Sequence, residues 1–113
     1  VLYADEGAGP LVARRLRLAR AISDSLLDAT FTPYEGGEYV GLYEGTPADR
    51  GVFVDRHAPD KRIFLLRKTD MPAVIVETHN ALDPREALAF EDPLVRRAFG
   101  LALARGIVSA LGV

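Results

Sequence analysis

At 113 residues, 49% apolar and 27% charged, the chain has the make-up of one globular domain. Its net charge of −2 and pI near 5.6 argue against a nucleic-acid partner, for which a basic stripe and a high pI are usual. With no cysteine, neither a disulfide framework nor a thiolate metal site is available. No apolar run approaches the roughly 18 residues of a membrane span, and no positively charged start leads into a long apolar core, so no signal peptide is visible.

Val1 to Ala4 is a strand candidate, and Asp5 to Pro10 is a turn in which Pro10 suits the first turn of a helix, where its missing N–H costs nothing. That helix is expected to run to about Asp28. Val12, Leu16, Ala19, Ile22 or Ser23, and Leu26 follow the three-four spacing of one buried face. Arg14, Arg15, Arg17 and Arg20 then read as its solvated side.

From Phe31 to Asp49 the chain is rich in glycine and tyrosine and has no helical period. The spacing predicts a long loop, with a hairpin through Glu38 to Tyr43 signalled by Gly36-Gly37. Tyr34, Tyr39 and Tyr43 either pack this loop to the body or line a groove for a sugar or peptide. Gly51 to Asp55 reads as a short strand, followed by a loop in which His57, flanked by charges, is expected to be exposed.

Ile63 to Arg67 and Ala73 to Glu77 read as two further strands. The few residues between them are too short for a parallel crossover, so the two are antiparallel or not adjacent. Asp83-x-x-Glu86 is a capping box with Pro84 at the first helical position, and Asp92-Pro93 repeats the start signal. In the last helix Val95, Phe99, Leu103, Ile107 and Leu111 recur every four residues beside Ala98 and Ala102, a stripe expected to pack on the sheet. Gly106 within it implies close contact with a neighbour. These elements predict an α/β fold, with few strands for a free-standing parallel sheet whose faces both need cover.

Glu77 ends a fully apolar run, and ligands in open α/β sheets bind beyond the carboxyl ends of strands. From spacing alone two readings stand: a catalytic acid and base, or a carboxylate that accepts loop N–H bonds or pairs with an arginine. His79, two residues on, reads as a loop residue near substrate. The alternative is a metal ligand shared with Glu77, since the two point the same way on an extended chain. Asn80 and Arg67 are candidates to bind substrate carbonyl or carboxylate groups, or else a local cap and a surface residue. The glycine-rich stretch Glu35 to Gly45 lacks a following Gly-Lys-Ser/Thr, and no serine sits in a Gly-x-Ser-x-Gly elbow.

The run Leu66, Arg67, Met71, Pro72, Ala73, Val74, Ile75, Val76, Glu77 and Thr78 resembles, residue by residue, the C-terminal block of the zinc-dependent N-acetylmuramoyl-L-alanine amidases of bacterial cell-wall turnover. Weaker likenesses extend it over nearly the whole chain: Tyr3 with the helix after it, Arg50-Gly51-Val52, and the closing helix from Ala102 to Leu111. The family's glycine-phenylalanine after the glutamate-threonine is replaced by His79-Asn80, so the loop over the site is expected to differ.

The resemblance implies a partial zinc-exopeptidase-like sheet with flanking helices, residues 1–113 being the C-terminal part of one catalytic domain. It implies Glu77 as general base and acid, peptidoglycan or a muropeptide as substrate, and a place in the cell envelope or periplasm. The family holds zinc through two histidines and a glutamate that precede its tyrosine strand, and no segment here matches those motifs. The zinc ligands are therefore expected upstream of Val1. Two alternatives remain: a related zinc amidohydrolase of N-acylated amino acids, similar to N-formylglutamate hydrolases, or a non-catalytic module that binds cell-wall glycans or another protein.

Overall fold

The structure, a computed structural model, describes residues 1–35, 41–45 and 47–113. Residues 38–40, half of the hairpin expected over Glu38 to Tyr43 and including Tyr39, lie outside them. In chain order the elements are β1 (Leu2–Tyr3), α1 (Gly9–Asp28), β2 (Tyr43–Gly45), β3 (Phe53–Asp55), α2 (Phe64–Lys68), α3 (Pro84–Glu91) and α4 (Pro93–Leu111). The general α/β class expected from the sequence is what this arrangement forms.

The sheet has the order β1-β3-β2, with β1 and β3 parallel and β2 antiparallel to β3. Crossing from β1 to a parallel neighbour requires a long connection, which α1 supplies; β2 and β3 are joined by a short loop and so run antiparallel. Leu2 faces Phe53 and Tyr3 faces Val54 in register. Alternation along these strands divides the buried side chains between two faces. Leu2, Ala4, Phe53 and Leu66 gather on one, with Tyr43, Ile63 and Ile75 against them. Tyr3, Ala19, Val52 and Val54 gather on the other, with Val1, Leu16 and Val74.

Two strand expectations change. Residues 64–68 form the helix α2, not a strand. Only Ile63 in that run is β-branched, whereas Leu65, Leu66, Arg67 and Lys68 are good helix formers. Asp55 fixes the start by accepting from the Ile63 N–H at 2.7 Å, and Arg67 and Lys68 suit the negative end of the helix dipole. The segment over residues 73–77 is extended but joins the sheet through one antiparallel bridge, Leu2 to Ile75, with N···O distances of 2.8 and 3.0 Å. A β1 of two residues offers little more to pair with.

Helix α1 differs from expectation at Arg15. Arg14, Arg17 and Arg20 are exposed, but Arg15 is 0% exposed, on the buried stripe with Ala19, Ile22 and Ser23. The stripe is rotated from the one the apolar residues suggest because the helix starts beside the carboxyl end of β1. Backbone carbonyls there take up the guanidinium: Glu6 O at 2.8 Å, Thr69 O at 2.9 Å and Ala4 O at 3.5 Å.

Helix α4 packs mainly on α1 and not, as the stripe implied, on the sheet. Its buried positions are Phe99, Ala102 and Gly106, while Ile107 and Leu111 are exposed. The close contact expected at Gly106 is present, against the backbone of Ala21 and Ile22. Ser25 Oγ donates to Ala102 O at 2.7 Å, and Phe31, Phe90 and Phe99 form a ring cluster at the same junction. Both start signals hold: Asp83 accepts from the Arg85 and Glu86 N–H groups, and Asp92 from Leu94 at 2.8 Å. The reciprocal half of the capping box is redirected. Glu86 accepts from the Asn80 N–H at 2.6 Å instead of from Asp83. Among the described residues no helix is long and apolar enough to cross a membrane.

Candidate functional site

Glu77 is exposed at the end of the extended segment. Because Ile75 pairs antiparallel with Leu2, the segment runs back along β1, and Val1 stands opposite its last apolar residue, Val76. Glu77 therefore lies at the amino end of the parallel pair β1 and β3, beside the Val1 nitrogen. That nitrogen donates to Gly51 O at 2.6 Å.

None of the other sequence candidates hydrogen-bonds to Glu77 among the described residues. His79 turns away, stacking on Phe90 with ring centroids 4.4 Å apart, its Nδ1 lying 2.9 Å from Thr78 Oγ1. Asn80 begins the turn before α3. Its Oδ1 accepts from the Leu82 N–H at 2.9 Å, and it lines a shallow open depression with Leu82, Asp83, Pro84 and Arg85. Arg67 is half-buried on α2, and its Nε is buried without a hydrogen-bond partner. No hydrogen bond or ion pair among the described residues joins any two of Glu77, His79, Asn80 and Arg67.

With His79 drawn onto Phe90, Glu77 and His79 do not converge as a ligand pair. Among the described residues no three His, Asp or Glu side chains come together to hold a metal. The residues present therefore do not fit zinc by themselves.

At the opposite end, past the carboxyl ends of β1 and β3, lies a polar cluster that the sequence did not flag. Asp55, 1% exposed, accepts from His57 Nδ1 at 2.6 Å, from the His57 N–H at 3.1 Å and from Ile63. Burial pushes its carboxyl up, but the Ile63 N–H, the His57 ring and the His57 N–H together outweigh it and hold the group below the usual carboxylate range. His57, expected exposed, retains 24% of its side-chain exposure and sits edge-on to Tyr43. Arg56 bridges Asp5 at 2.9 Å and Glu44 at 2.6 Å; Arg62 pairs with Glu6 and donates to His57 O at 2.6 Å. With Arg56 and Arg62 each engaged by an acid, this end ties down the loop between β3 and α2. Tyr34, at the rim of the same sheet, packs its ring 5.5 Å from that of Phe53.

Comparison of the chain with protein-family models, curated proteins and solved structures returned no match.

Proposed function

We propose that this chain is the C-terminal part of a zinc-dependent N-acetylmuramoyl-L-alanine amidase domain, acting on peptidoglycan or muropeptides in the cell envelope or periplasm. Residues upstream of Val1 complete its zinc-exopeptidase-like sheet and carry the zinc ligands. The observation that supports this reading is the position of Glu77, an exposed carboxylate held beside the Val1 nitrogen, where a preceding segment would enter. Zinc bound by that segment would acidify a water molecule. Glu77 would be the group that takes a proton from the attacking water and returns it to the departing amine, the two transfers that amide hydrolysis requires. Asn80, whose amide Nδ2 remains available to donate, and Arg67 are the groups proposed for the carbonyls and carboxylate of the stem peptide.

In the zinc-loaded longer protein, Glu77→Gln keeps the shape and removes the base. Muropeptide cleavage should fall by about 10²- to 10⁴-fold with zinc content unchanged. Cleavage within a few-fold of the parent would sink the assignment.

A further inference from the structure

We infer that Arg15 is a positioning residue whose buried guanidinium joins the carboxyl end of β1 to Thr69 and so sets the register in which the segment bearing Glu77 meets the sheet. That segment is weakly specified by its own pairing. Among the described residues, the bonds that tie it to the sheet between Thr69 and His79 are the two between Leu2 and Ile75. A strand paired at one point is prone to slip, and a slip of one residue turns every side chain to the other face, Glu77 included.

Arg15 supplies the second fixed point. Nη2 donates to Thr69 O at 2.9 Å while Nη1 donates to Glu6 O at 2.8 Å, so one rigid planar group spans the end of β1 and the start of the segment. No carboxylate among the described residues pairs with this guanidinium, and its Nε is buried without a partner. Burying a cation in that way is costly. An apolar side chain on the stripe with Ala19 and Ile22 would fill the space at lower cost. What the guanidinium adds is the bridge between two backbone stretches 54 positions apart in sequence. Lysine, with one compact ammonium, cannot reproduce the planar fork.

Amide hydrogen exchange on the chain carrying Arg15→Lys tests this. Exchange at Leu2 and Ile75 should rise by about tenfold or more, the loss of a charged hydrogen bond, while Ala19, Ile22 and Ala102 change by less than about threefold. A uniform rise would make Arg15 a general stabiliser and overturn the inference, as would no rise at Ile75. If the variant does not fold, the unsubstituted chain decides. The Arg15 Nε–H and the Ile75 N–H should then exchange through one opening, with constants agreeing within about threefold, and disagreement overturns the inference.

The consequence for catalysis rests on the amidase reading. In the zinc-loaded longer protein, Arg15→Lys should lower kcat about tenfold or more with KM nearly unchanged. Loss of cleavage in Glu77→Gln but full kcat in Arg15→Lys would remove the positioning role. Full activity in Glu77→Gln would instead remove the amidase reading and leave the exchange result to stand on its own.

Discussion

Replacing Gly106 by alanine is expected to destabilise the fold by about 3 kcal/mol, although helix propensity alone favours alanine by up to about 1 kcal/mol. Packing decides the sign. A Cβ at this position would lie 2.5 Å from Ile22 Cα, 2.7 Å from Ala21 O and 2.9 Å from Ile22 N. All three are backbone atoms of α1, so no side chain can swing aside. Relief requires α4 to back away from α1. That separation loosens Phe99 and Ala102 and stretches the bond from Ser25 Oγ to Ala102 O. The same helix contains its control. Gly100 has nothing within 4 Å of the equivalent position, so Gly100→Ala should gain up to about 1 kcal/mol. Urea midpoints that move in opposite directions for the two variants support the packing; a Gly106→Ala protein at least as stable as the parent would contradict it.

Helices α1, α3 and α4 were legible because their signals are local. Pro10, Asp83-Pro84 and Asp92-Pro93 mark starts by chemistry that acts within one turn, and each opens a helix where it was expected. What was illegible depended on tertiary partners. Arg15 looks like its solvated neighbours because nothing within the helix shows that carbonyls of Ala4, Glu6 and Thr69 will surround it. Its spacing from Ala19 and Ile22 was the available clue. Residues 63–67 were ambiguous in the way of any short apolar run, and the Asp55 carboxylate resolved them by capturing Ile63.

The two acid-x-His pairs make the same point from opposite sides. On an extended chain Glu77 and His79 would point the same way, but the Phe90 ring and the Thr78 hydroxyl hold His79 elsewhere. Asp55 and His57 have the same spacing and do meet, at 2.6 Å, because the chain folds back after β3 onto a buried carboxylate. Spacing proposes such pairs, and the surrounding elements choose between them. The identity of Glu77 as an exposed acid after an apolar segment was readable. Its place at the amino end of β1 was not, since that follows from an antiparallel bridge.

Asp55 is the other position where one substitution should have a large effect. Asp55→Ala leaves the Ile63 and His57 N–H groups without their acceptor in a site that is 1% exposed. Each orphaned donor costs about 1–3 kcal/mol, so a loss of about 3–4 kcal/mol is expected, much of the stability of a domain this size. Asp55→Asn keeps one acceptor oxygen but turns an amide N–H₂ toward the donors, and should lose less. The pH dependence separates charge from shape. Burial raises the Asp55 carboxyl, but the N–H groups around it lower it further, so its folded value lies below the ordinary 3.8. In this direction the carboxylate's contribution is full above the ordinary value and is lost as pH falls through the folded one. The stability difference between the parent and Asp55→Asn should therefore be largest near neutral pH and shrink below about pH 3.8. A difference that stays constant from pH 7 to pH 3 in urea unfolding would mean that shape alone, and not the ionised carboxylate, holds α2 and His57 to the end of β3.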